Sequence, residues 1–248
     1  IVNGVYERYE PSLASNTDLG NSKRLVKSHG EILRYLHEMR KWIYWDGSRW
    51  VIDDDGKVMR YAKQTAISIN KEASQISDDN RRSEAQKHAK TSESLRSLSA
   101  MIDLAKTEEG IPLPASELDT KNFVLGVNNG VISLQSGEII AGSTKDLYLT
   151  KKATVCFDPK ARCPTWHTFL HQVLGGDEEF IRFIQKAVGY SLTGDTSEQV
   201  LFFLYGVGAN GKSTFVQRIR FFFENFDSFL MQQRPQPSAA HLQVMVPP

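Results

Sequence analysis

Cysteine is scarce in this chain: Cys156 and Cys163 are the only two. Two thiols cannot make the disulfide framework of a small secreted domain, and they suit a reducing cytoplasm. Long apolar runs are missing as well. No stretch approaches the roughly eighteen consecutive apolar residues of a membrane span, and residues 1–30 hold no apolar signal core. A cytoplasmic protein without a membrane partner is the expectation. Net charge is nearly absent: 30 Lys and Arg against 29 Asp and Glu give +1. Nucleic-acid binding is therefore not announced by the whole chain and would have to come from local patches. No internal repeat is present, which sets aside solenoids and propellers. The 248 residues are 40% hydrophobic and 24% charged, which is ordinary for one or two globular domains.

One segment stands out from this background. Gly206-Val207-Gly208-Ala209-Asn210-Gly211-Lys212-Ser213 fits G-x-x-x-x-G-K-[ST], the phosphate-binding P-loop. The apolar run Gln199–Tyr205 before it reads as a buried strand, and Ser213–Asn225 after it reads as a helix. Glycine lets the backbone curl until several N–H groups face one phosphate, and the helix N-terminus adds partial positive charge there. On this reading the amides of Gly208–Ser213 cradle the α- and β-phosphates of ATP. Lys212 reaches the β- and γ-phosphates, the Ser213 hydroxyl ligates Mg²⁺, and Thr214 touches the α-phosphate.

Upstream, residues 1–22 are polar and read as a linker or frayed terminus. Ile32, Leu33, Leu36 and Met39 recur at helical spacing, which predicts a helix over 30–41. Aromatic stretches flank Asp46-Gly47 and predict a hairpin over 42–52. Helices are expected over 57–69 and, as one long helix or a pair, over 81–106. Small antiparallel strands are expected over 123–149, with turns at Asn128-Asn129-Gly130 and Ser136-Gly137. Residues 164–191 return to helix, broken at Gly175-Gly176, with Asp177 placed to cap the second half.

The order Asn129-Gly130-Val131, then Phe157-Asp158-Pro159-x-Ala161-x-Cys163-Pro164-x-Trp166-x-x-Phe169-Leu170, then Gly189-Tyr190-Ser191-Leu192-Thr193-Gly194-Asp195, then the P-loop, resembles the phage/plasmid primase–helicase family. The hairpin with Trp45-Asp46-Gly47 and Trp50 is similar to that family's helicase-associated N-terminal region. The resemblance runs over about residues 30–226 and implies a superfamily 3 helicase: an ATP-driven, ring-forming, usually hexameric motor on single-stranded DNA. The expected fold is an α+β N-terminal region, of helices with small antiparallel hairpins, joined to the beginning of a P-loop α/β ATPase domain. The expected division is a linker at 1–22, a helicase-associated domain at 23–195 and an incomplete ATPase domain at 196–248.

A complete ATPase of this type also needs an apolar strand ending in acidic residues, a sensor residue and an arginine from the neighbouring subunit. After Ser213 the acidic residues are Glu224 and Asp227, and Glu224 falls on the expected P-loop helix. Arg234–Pro248 carries Pro235, Pro237, Pro247 and Pro248 and shows no family match. The expectation is therefore a chain cut short, with the nucleotide-binding corner present and the hydrolytic machinery missing. The alternatives are a non-catalytic remnant that binds single-stranded DNA or helicase subunits, and an unrelated P-loop kinase or ATPase.

Four other groupings carry weaker signals. Cys156, Cys163, His167 and His171 could ligate zinc, but the cysteine spacing is wrong and ordinary packing is favoured. Asp53-Asp54-Asp55 fails the calcium-loop pattern at Lys57 and Gln64 and reads as a turn. Trp42, Tyr44, Trp45 and Trp50 are favoured as hairpin core, with stacking on DNA bases as the alternative. Arg81, Arg82, Lys87, Lys90 and Arg96 are favoured as a solvated helix face, with phosphate tracking as the alternative.

Overall fold

A computed structural model describes residues 15–206, 208, 210–224, 226 and 227. Their fold is α+β, of helices with small antiparallel sheets, and the chain divides into two compact units. Unit 1 comprises residues up to Tyr44 together with Ile52–Ala115, and unit 2 comprises Trp45–Val51 with Ser116 onward.

Unit 1 opens with helix α1, Asp18–His29. Thr17 caps it by accepting from Gly20 N at 3.1 Å, so helix begins inside the segment expected to be linker. Residues 1–14 lie outside the described ones. The helix expected over 30–41 is replaced by a short 3₁₀ turn and strand β1, Leu33–Leu36, paired antiparallel with β2, Lys41–Trp45. The cause is tertiary. Tyr35 N donates to Ile111 O at 2.8 Å and Leu113 N donates to Tyr35 O at 3.0 Å, which holds β1 extended from outside. Strand β3, Trp50–Ile52, follows the Asp46-Gly47 turn as expected.

Helix α2 spans Lys57–Ser74. Asp53 starts it, its carboxylate accepting from Lys57 N at 2.5 Å and Val58 N at 2.9 Å. The Asp53-Asp54-Asp55 turn is thus a helix-starting device. The expected helix pair is present as α3, Asp79–Ser92, and α4, Leu95–Ala105. Leu25, Ala62, Ala66, Leu98, Met101 and Ala105 form the apolar core of α1, α2 and α4. The alanines at i and i+4 on α2 let its neighbours approach closely.

A polar knot joins α1 to α3. Asn21 Nδ2 donates to Ser92 Oγ at 2.9 Å, and His88 Nε2 lies 3.0 Å from Asn21 Oδ1. Asn21 and Ser92 are fully buried. Because Asn21 Oδ1 can only accept, His88 donates from Nε2. Burial, then the nearby Arg24 charge, holds His88 below its ordinary value of 6.5, with Asp18 opposing. The folded state thus prefers the neutral ring, and the unfolded chain takes up the proton first on acidification. The stabilisation is complete above about pH 6.5 and falls as pH drops from there through the lower folded value. His29, also lowered by burial, adds to the same slope. A lower urea midpoint at pH 5.5 than at pH 7.5 is expected, with a flatter dependence for His88→Gln. An unchanged pH dependence in that variant would rule this linkage out.

In unit 2, β4 (Val124–Val127), β5 (Gly130–Ser133) and β6 (Glu138–Ile139) form the expected antiparallel meander, and β7 (Lys152–Ala153) pairs with β8 (Phe226–Asp227). Leu125, Val127, Ile132 and Ala153 are its core. Helices α5, Pro164–Val173, and α6, Glu178–Ser191, meet at Gly175-Gly176. Asp177 caps α6 as expected, accepting from Glu179 N and Phe180 N at 3.0 Å each. Helix α7 runs Lys212–Glu224.

The strand expected over Gln199–Tyr205 is not formed. Val200, Leu201 and Tyr205 are 52%, 61% and 65% exposed, and Gln199 has φ +48°. An apolar run becomes a strand only when a neighbour completes its ladder, and no strand among the described residues pairs with this one.

Candidate phosphate-binding site

Helix α7 places the glycine-rich loop. Its inward face, Phe215 with Val216 and Ile219, joins Leu170 of α5 and Ile181 and Ile184 of α6 in one apolar cluster. Trp166 stacks on Phe215 at 5.8 Å and on Phe169 at 5.3 Å. Phe215 N donates to Gly211 O at 2.9 Å, which closes the first turn directly behind Lys212.

Gly206, with φ +146°, and Gly211, with φ +80°, hold backbone conformations that side chains disfavour. They bend the loop until the Lys212 ammonium turns back over it. Lys212 Nζ donates to Gly206 O at 2.9 Å and to Asn210 Oδ1 at 2.6 Å. Ser213 and Thr214 are exposed on the first turn of α7, where the leading N–H groups have no acceptor within the helix. Gly206, Gly208 and Asn210–Thr214 of the predicted site are thus described, whereas Val207 and Ala209 lie outside the described residues.

This arrangement can hold a phosphate. The ammonium already grips two oxygens across the loop, and a phosphate offers stronger acceptors in the same place. The Ser213 hydroxyl can supply one oxygen to a Mg²⁺ ion, whose other ligands would come from phosphates and water. Beside the loop lies a cavity of about 140 Å³ whose lining includes Leu170, Val173, Leu204, Tyr205, Phe215 and Lys212.

The structure places the other candidates as follows. Cys156 and Cys163 are exposed, and His171 Nε2 lies 3.1 Å from Glu178 Oε1. Among the described residues, no group of three or more His, Cys, Asp or Glu side chains is placed to hold a metal ion. Trp50 is core, 1% exposed, and Trp42 packs with Tyr35 at 5.2 Å, while Trp45 is half-buried. Arg82 pairs with Asp79, whereas Arg81, Lys87, Lys90 and Arg96 are exposed. Glu224 is the last residue of α7, as the sequence suggested. Sequence reasoning missed Val173, which lies directly against Gly211. Its one signal is the i, i+4 spacing from Phe169 on α5.

Among the described residues, no helix is long and apolar enough to cross a membrane. Residues 22–175 match the family described as D5 N terminal like. No curated protein matches the chain.

Proposed function

This chain belongs to the D5 N terminal-like family, the N-terminal region of D5-like primase–helicases, and from that premise we propose that it is the ATP-binding portion of a DNA-replication helicase. Mg²⁺–ATP binds at Gly206–Thr214, and the intact protein couples its hydrolysis to DNA unwinding. The single observation that carries this reading is Lys212. It is the first residue of α7, and its ammonium is folded back onto Gly206 O and Asn210 Oδ1.

Each group has a chemical task. Lys212 binds the β- and γ-phosphates as a point charge, and backbone amides of Gly208–Ser213 orient them. Ser213 would supply one oxygen to Mg²⁺, which when bound would neutralise developing charge on the phosphates. Turnover further requires acidic groups to position water and an arginine from the next subunit. Such sharing explains why motors of this kind work as rings, hexameric here by resemblance, around single-stranded DNA.

The test is binding of a fluorescent ATP analogue to this chain. Saturable binding that needs Mg²⁺ and is displaced by unlabelled ATP is the expected result. No displaceable binding would overturn the assignment. Single-strand binding that persists without any nucleotide binding would establish the non-catalytic alternative.

A further inference from the structure

Gly211 is pressed from behind by α5. A Cβ built on it would lie 2.4 Å from Val173 Cγ1 and 3.2 Å from Phe169 Cε2. The first distance is one that real atoms do not adopt, so the loop backbone and α5 are in direct van der Waals contact. Gly211 also holds φ +80°, and it immediately precedes Lys212 and Ser213. The direction of those two N–H groups is therefore set where the wall touches. The wall is itself fixed, because Phe169 stacks on Trp166, which stacks on Phe215 of α7. Helix α5 is also the last helix within residues 22–175, the stretch that matches the family.

We propose that Val173 and Phe169 are positioning residues for the nucleotide: α5 is the backing wall that holds Gly211, and through it the Lys212 and Ser213 amides, in the phosphate-binding arrangement. The proposal rests on the P-loop reading above. Neither side chain touches the nucleotide; both act through the glycine. The nucleotide site is then mechanically continuous with the family-matched region. A shift of α5 loosens nucleotide binding, and by reciprocity nucleotide binding steadies α5.

The experiment titrates a fluorescent ATP analogue with Mg²⁺ against the full chain and four variants, with thermal midpoints recorded in parallel. Val173→Ala withdraws the wall and is expected to weaken binding about tenfold, less than the roughly hundredfold a 1 Å misplacement can cause. Val173→Thr keeps the branched outline at a half-buried position and is expected to bind within about twofold of the unaltered chain. Phe169→Leu is expected to fall between them. Ile181→Ala removes a core side chain of the same cluster on α6, away from Gly211. It is expected to lower the thermal midpoint at least as much as Val173→Ala while leaving affinity within about twofold. Unchanged affinity in Val173→Ala overturns the proposal. So does a Val173→Thr variant as weak as Val173→Ala, or an affinity loss that tracks the thermal midpoint across all four. If the unaltered chain binds no nucleotide, the P-loop reading itself falls, a different result from any of these.

Discussion

Replacing Lys212 by Ala is expected to abolish nucleotide binding by this chain and to cut DNA-stimulated ATP turnover of the intact protein by about 10²-fold or more. The comparison is with removal of one preorganised donor from an active site, which costs roughly 10²–10³ in rate. Lys212 is a stronger case, because its full charge would reach two phosphates and each charge-assisted hydrogen bond contributes about 1.5–3 kcal/mol. The fold is expected to survive. The ammonium bonds to Gly206 O and Asn210 Oδ1 on the exposed loop, and the first turn of α7 is closed by backbone from Phe215 to Gly211. The nucleotide-free thermal midpoint should therefore stay within about 1 °C, a shift small beside the several degrees per kcal/mol typical of domains this size. Lys212→Arg should fail nearly as badly, since a planar fork does not replace a compact point charge in a loop this tight. Turnover that survived Lys212→Ala would remove the phosphate role from this loop.

Trp50→Ala is expected to destabilise unit 2 by about 3–5 kcal/mol, the range for removing a large aromatic side chain from a core. Trp50 is 1% exposed, and its ring lies 6.0 Å from Trp45 and 5.8 Å from Tyr148. Its indole Nε1 donates to Lys145 O at 2.8 Å, and its backbone N donates to Leu149 O at 2.8 Å. The truncation leaves both a cavity and the part-buried Lys145 carbonyl without the indole donor. Trp50→Phe separates the two losses. It keeps most of the bulk and gives up the Nε1 hydrogen bond, so a cost of about 1–3 kcal/mol is expected. Hydrogen exchange is the suitable measurement, because it reports each unit by itself. Amides of 119–153 should exchange far faster in Trp50→Ala, while those of α1, α2 and α4 keep their protection. A loss under about 1 kcal/mol would show that the hairpin tip is not part of this core.

The elements legible in the sequence are those fixed by near neighbours. The break between α5 and α6 was readable because Gly175-Gly176 and the Asp177 cap lie side by side in the chain. The hairpin at Asp46-Gly47 was readable for the same reason, since Asp46 accepts from Ser48 N and Arg49 N within the turn itself. The segment 30–41 was misread because Ile32, Leu33, Leu36 and Met39 satisfy a helical period. Backbone bonds to Ile111 and Leu113, far along the chain, decide in favour of a strand. The run Gln199–Tyr205 was misread for the complementary reason: apolar composition marks a residue set that suits a ladder, but the ladder needs a partner. At the site, the motif named Lys212 and Ser213, yet it could not name the wall behind Gly211. That contact joins two helices whose packing no local pattern encodes.

The return of Trp45–Val51 to unit 2 has a practical meaning for anyone dividing this protein. The chain leaves unit 1 at Tyr44, goes back to it at Ile52 and leaves again at Ala115. No single cut therefore separates the two bodies. A fragment starting at Ser116 would carry the β4–β6 meander, α5 and the phosphate loop but would lack the indole that fills the space beside Tyr148. A fragment ending at Ala115 would carry that indole with nowhere to bury it. Swapping the front half between relatives would transplant a piece of the back half's interior, so the exchangeable cassette must include both halves or graft residues 45–51 with the recipient.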